Sequence, residues 1–342
     1  MKKLLPIIFI LILSSCSKEV LLEVLPEQLV VRNETSYLVN SMEPFTGTMV
    51  SYHENGQLRY TGIYKDGQQE GLYEGYFENG QLKYKRNYKN GKIVGLYEWY
   101  YDNGQLESKR NYKNGGYDGL YESYYKNGQL QYKTNFKDGK EDGLSESYYD
   151  NGRLDYRRNY KDGELDGLLE TYYKDGQLES KTNYKDGEGD GLSETYDYNG
   201  QLKSKGNFKD GKLDGLQEWY YDNGQLKNKG NYKDGKQDGL WDDYYENGQL
   251  EYRRNYKDVK REDGLYEEYY ENGQLSSKGN YKNGKIVGLV ESYSENGQVI
   301  SKENYKNGKL DGLYEFYDKK GQVFYKNCYR IGEEVDISYC EK

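Results

Sequence analysis

The sequence predicts an all-β protein, an elongated single-layer antiparallel β-meander of tandem 24-residue β-hairpin repeats. Three observations predict it. First, a turn glycine recurs at Gly56, Gly80, Gly104, Gly128, Gly152, Gly176, Gly200, Gly224, Gly248, Gly273, Gly297 and Gly321, stepping 24 residues except for 25 between Gly248 and Gly273. Second, side chains around each of these glycines alternate as they do along the two strands of a hairpin. Third, the hydrophobic fraction is 34% and leans on 44 tyrosines, with a mean hydropathy of −1.18. That is too little aliphatic material for several packed cores, whereas a one-layer sheet needs none. The strict period and a net charge of only −9 over 342 residues argue against disorder.

Met1 to Cys16 reads as an export signal, with Lys2 and Lys3 ahead of an apolar run from Leu4 to Leu13. The run is too short to cross a bilayer as a helix. Residues 1–15 are therefore expected to be removed as a signal peptide. Residues 16–42 form a lead-in, with two short strands at Leu29 to Arg32 and Ser36 to Asn40 around Asn33-Glu34. This segment is expected to cap the first hairpin, because terminal units of repeat proteins are atypical.

Residues 43–330 are the array, and the unit from Gly71 to Ile93 states its rule. Asn79-Gly80 reads as the type I′ tip of a hairpin. That tip sets Phe77 against Leu82, Gly75 against Tyr84, Glu74 against Lys85 and Leu72 against Asn87. Leu72, Glu74 and Tyr76 share one face, where Leu, an acid and Tyr recur in all full units, and that face is taken as the concave, inner one. The acid always opposes a base, from Lys85 to Lys326, which marks a register device worth roughly 0.2–1 kcal/mol per pair. Tyr73, Phe77, Leu82, Tyr84 and Tyr88 take the other face, with Tyr88 opposite Gly71. The second connection, Lys89 to Gly95, reads as a longer turn joining successive hairpins. At about 4.8 Å per strand the array would form a ribbon on the order of 100 Å long.

Three places depart from the rule. The first unit has Tyr52-His53 for the usual Tyr-Tyr, and Thr61 for the base. The turn around Val259 gains a residue, where a loop irregularity is expected. Asp186 to Gly191 spaces acids somewhat as a calcium loop does, but without the last Glu or flanking helices, so it reads as a glycine-rich turn. Residues 331–342 form a C-terminal capping segment, with a last strand expected from Val335 to Cys340. Cys328 and Cys340 are left as two thiols that, in an oxidising compartment, would bridge the final hairpin and close the sheet edge, or else stay free.

The pattern Y-x-N-G-Q-L-x-x-K-x-N-Y-K-D-G-K-x-D-G-L-x-E-x-Y resembles the bacterial variant of the MORN repeat, and the opening Pro44-Phe45-Thr46-Gly47 resembles the P-F-T-G that begins such arrays. The resemblance covers roughly residues 45 to 330. It implies an extended hairpin array, and it brings with it the YwqK-type antitoxin designation that many such chains carry. Leu13-Ser14-Ser15-Cys16 resembles a bacterial lipobox, which implies lipidation of Cys16 and a chain anchored to the bacterial cell envelope, at the outer membrane or cell surface, rather than spanning a membrane.

Function classes follow by exclusion. Charges of both signs alternate, so no basic stripe exists for nucleic acid. The one histidine, His53, and the absence of metal-type spacing, a phosphate loop or a nucleophile elbow leave no catalytic, cofactor-binding or metal residues to name. An active site also needs one asymmetric constellation, not an acid–base pair repeated in every unit. No cofactor and no small-molecule substrate are expected. The expected activity is that of a non-enzymatic scaffold for a protein or glycan partner, with an antitoxin or immunity-like role at the envelope as the alternative.

Overall fold

The structure is a computed structural model and describes residues 22–257, 260–261 and 264–341. Cys16 and the export signal lie outside the described residues, as does most of the irregular turn around Val259. Among the described residues no helix is long and apolar enough to cross a membrane. The chain divides into two compact units. The first runs to Gly119 and takes in Lys126–Gly128, and the second comprises Leu120–Tyr125 and everything from Gln129.

In the first unit, strands Gly47–Tyr52, Leu58–Lys65, Gln68–Tyr76, Leu82–Lys89, Lys92–Tyr100 and Leu106–Lys113 pair in chain order, each antiparallel to the next. The lead-in adds Glu23–Val24, which pairs parallel to Thr48 and Met49, and a hairpin of Leu29–Arg32 with Thr35–Leu38. Val24, Phe45, Met49, Tyr73 and Tyr88 form a small core, with Leu29 and Leu38 of the lead-in packed on it. In the second unit the same antiparallel order runs from Leu130–Lys137 to Glu333–Val335. The fold class read from the sequence is the one observed.

The register holds at Gly75↔Tyr84, Glu74↔Lys85, Leu72↔Asn87 and Gly71↔Tyr88, but Leu82 faces Tyr76, not Phe77, across a bulge. The cause is the turn type. Gly80 alone has positive φ, +83°, and its N–H donates to the carbonyl of Phe77. This is a type I turn closed by a glycine bulge, which consumes one more residue than a type I′ tip. The type I′ geometry is found at the other edge. There Asn90 (+49°) and Gly91 (+70°) both have positive φ, and Lys89 faces Lys92. The connection expected to be longer is thus the two-residue one. The extra length sits past the turn, where the strand bulges between Val94 and Glu98.

The Leu/Glu/Tyr face is the more open of the two. Leu72 is 40% exposed and Leu240 47%, while Tyr73, Tyr97, Trp241 and Tyr266 on the opposite face are buried. The packed face is held by rings. Tyr60, Tyr73 and Tyr84 stack at centroid spacings of 6.0 and 6.2 Å, and the Arg86 guanidinium lies 5.0–5.4 Å from the rings of Tyr73, Tyr84, Tyr88 and Tyr97. In several units a ring lies on a facing glycine. Gly230 faces Trp241, and a Cβ on that glycine would overlap the indole.

At the C-terminus the last strand is shorter than expected. Glu333–Val335 pairs with Cys328–Arg330, and Ile337–Tyr339 is a 3-10 turn begun by Asp336, whose carboxylate accepts from the Ser338 N–H. The turn brings Cys340 back to Cys328, to which it is disulfide-bonded with a Cα–Cα distance of 5.9 Å.

Candidate interaction face

The Leu/Glu/Tyr face is the surface that every unit builds alike. Its central row is a charge ladder. In the second unit it runs Lys133, Glu146, Arg157, Glu170, Lys181, Glu194, Lys205, Glu218, Lys229 and Asp242, and it continues to Glu315 and Lys326, each residue opposite the next. The close contacts mostly bridge successive hairpins. Lys85 reaches Glu98 at 2.7 Å, Lys133 Glu146 at 2.6 Å, Lys205 Glu218 at 2.7 Å and Lys278 Glu291 at 2.8 Å. Arg253 also holds Asp242 of its own hairpin at 2.8 Å. The rung expected to set register within a hairpin therefore also ties each hairpin to the next.

In most units the tyrosine two residues after the acid serves that acid. Its hydroxyl donates to the carboxylate in Tyr76–Glu74 (2.9 Å), Tyr148–Glu146 (3.0 Å), Tyr220–Glu218 (3.1 Å) and Tyr317–Glu315 (2.8 Å). Burial, reinforced by the Glu74 carboxylate, pushes the Tyr76 phenol up to about 12. The hydrogen bond from Lys278, acting against partial burial, holds Glu291 below its ordinary value.

Turn edges are fastened in the same way. The hydroxyls of Tyr125, Tyr149, Tyr173, Tyr221 and Tyr270 donate to the carbonyls of Tyr148, Tyr172, Tyr196, Tyr244 and Tyr293, 23 residues on. His53 stands in that place in the first unit, with Nε2 2.9 Å from the Tyr76 carbonyl. Hydrogen bonding between units, which the repeat pattern gave no direct sign of, accounts for these second tyrosines.

With ladder and phenols satisfied, the leucines are what the face leaves over. Leu72, Leu96, Leu144, Leu192, Leu216, Leu240, Leu265 and Leu289 are each 39–47% exposed. Each pairs with an asparagine, as Leu192 does with Asn207. Successive leucines stand about 10 Å apart, two strand spacings. Among the described residues no group of three or more His, Cys, Asp or Glu is placed to hold a metal ion.

Eleven stretches of the chain match the family model described as MORN repeat variant, at residues 45–66, 69–90, 93–114, 117–138, 141–162, 165–186, 189–210, 213–234, 237–258, 262–283 and 286–307. No curated protein matches the chain. Among solved structures, it is similar to a chain of "Crystal Structure of TcdB2-TccC3" at 12% identity and a TM-score of 0.18, over 88% of this chain and 19% of that one. A second is "Structure of Photorhabdus luminescens Tc holotoxin pore, Mutation TccC3-D651A", at 14% identity and a TM-score of 0.18, over 86% of this chain and 18% of the other. The chain thus spans less than a fifth of either.

Proposed function

The chain belongs to the MORN repeat variant family, and from that premise we propose that it is a non-enzymatic, envelope-anchored scaffold whose Leu/Glu/Tyr face docks a protein partner. One observation carries the reading. The face repeats a half-exposed leucine at constant spacing beside charges and phenols already paired with one another. Exposed aliphatic side chains at regular intervals suit a protein surface. A sugar would call for free aromatic faces, and the Tyr hydroxyls on this face are engaged. Anchoring rests on Lys2, Lys3, the apolar run and Cys16, whose lipid would hold the scaffold at the bacterial envelope.

The test is capture from detergent-solubilised envelopes by the chain and by a Leu192→Lys, Leu216→Lys, Leu240→Lys variant. The expected result is one or a few proteins retained by the wild-type chain and lost with the variant, while circular dichroism is unchanged. Equal capture by both would remove the leucine row from the reading. A toxin retained through this face would make the scaffold an antitoxin or immunity-like component. Metabolic labelling with a fatty acid, absent from a Cys16→Ser variant, tests the anchor.

A further inference from the structure

The first repeat breaks the rule in three places that matter to one another. Val50 stands where every full unit has its acid, Thr61 where they have the base, and His53 where many have the second tyrosine. The consequence falls on Tyr52. In most other units this tyrosine gives its hydroxyl to the acid two residues back, as Tyr76 does to Glu74 and Tyr244 to Asp242. Tyr52 has Val50 there instead. Among the described residues its hydroxyl makes no hydrogen bond, and the residue is 51% exposed.

Tyr52 lines a cleft of about 610 Å³ in the first unit, the size of a small-ligand site. Four charged side chains share the lining, Glu54, Glu78, Arg59 and Lys83. Among the described residues none of them is in an ion pair. Arg59 and Lys83 instead lie over the rings of Tyr60 and Phe77, at 6.0 and 5.4 Å. This contrasts with the ladder, where acids and bases hold each other at 2.6–2.8 Å in Lys133–Glu146 and Lys278–Glu291. His53 is fixed as a wall by its bond to the Tyr76 carbonyl.

We propose that this cleft is a binding site for a short neutral saccharide. Two unpaired carboxylates and two unpaired cations sum to no net charge, which favours neither a phosphate nor a polyamine. They do offer several acceptors and donors to a molecule rich in hydroxyls. The free ring of Tyr52 supplies the flat apolar surface against which a sugar ring packs, with a hydroxyl at its tip. The site is separate from the leucine row, so its failure leaves the docking reading untouched, and the reverse holds too.

Titration of the full chain with maltotriose, cellotriose and N-acetylchitotriose, read by calorimetry or ligand-observed NMR, tests it. At least one trisaccharide is expected to saturate a single site, while inorganic phosphate and spermidine do not. Tyr52→Ala is expected to weaken binding roughly tenfold. Val50→Glu restores the residue of the other units, captures the Tyr52 hydroxyl and should weaken binding several-fold with no loss of thermal stability. That variant separates binding from folding. The proposal is overturned if none of the three sugars binds, if phosphate or spermidine binds instead, or if Val50→Glu binds as tightly as wild type.

Discussion

The side-chain amide of Asn79 donates to the backbone carbonyl of Asp102, in the corresponding turn of the next unit, at 3.1 Å. The same bond runs from Asn55 to Glu78, from Asn151 to Lys174, from Asn223 to Glu246 and from Asn272 to Glu295. Each of these asparagines also accepts, through Oδ1, the N–H two residues on, as Asn79 does from Gln81. One amide therefore shapes its own turn and fastens it to its neighbour.

Asn223→Ala should cost about 1 kcal/mol, the usual net worth of such hydrogen bonding, and Asn223→Asp should cost a similar amount because it keeps the acceptor and loses the donor. Gly224→Ala should cost more than Ala at a permissive position, since φ there is +80°. Urea melts of the three variants check the order.

Coupling along the ladder should depend on contact rather than on register alone. Lys181 touches Glu194 at 2.5 Å and is directly opposite Glu170, which is held by Arg157. A double-mutant cycle to Ala should give about 0.2–1 kcal/mol for Lys181–Glu194 and close to nothing for Glu170–Lys181. Equal couplings would contradict the bridging role assigned to the lysine.

Adding one methyl group at Gly230 should displace the Trp241 indole that lies on it. Gly230→Ala is expected to destabilise the chain by about 1–3 kcal/mol and to change tryptophan fluorescence, because the added carbon overpacks a ring-on-backbone contact. No such change is expected for Gly91→Ala in fluorescence, since nothing lies within 4 Å of its Cβ position, although its φ of +70° still carries a backbone cost.

Stability should fall at both ends of the pH range. Glu291 is held below its ordinary 4.5, so its contribution is complete above that value and is lost as pH drops through the lower folded-state value. Tyr76, Tyr149 and Tyr160 are raised from 10.0 to about 12, chiefly by burial. Their contribution is complete below pH 10 and disappears as pH rises towards 12. Circular dichroism followed with tyrosinate absorbance should show the sheet melting as these phenols ionise.

Removing one period should leave the fold standing. Deleting residues 178–201 joins Gln177 to Leu202, and every bond across the junction finds an equivalent partner. The variant is expected to keep the circular dichroism of the parent per residue. Loss of soluble expression would count against modular units.

The period and most of the register were legible because opposed residues recur together. Glu74 with Lys85 and Gly71 with Tyr88 are paired as the sequence implies. The turn types were not legible, since both edges carry an Asn-Gly or Asp-Gly step and local preference fits either one. What separates them is where the side-chain amide goes, at Asn79 to the next unit, and that is a relation between units. The exposure of Leu72 and its counterparts was not legible either, because it follows from the packing being done by the rings of the other face. Departure from the repeat was visible at Tyr52-His53, whereas what Tyr52 lacks appears only beside phenols such as Tyr76 and Tyr317, each bonded to the acid two residues back.

The tight turns at the opposite edge carry Asn at 90, 114, 283 and 307 and Asp at 66, 138, 162, 186, 210 and 234, all with φ between +48° and +54°. That edge accepts amide or acid indifferently. Slow chemical ageing of an asparagine to an aspartate would there add a negative charge and leave the chain's shape alone. The same lesion at Asn79 or Asn223 would cut a fastening, so time would mark the two margins of the sheet unequally.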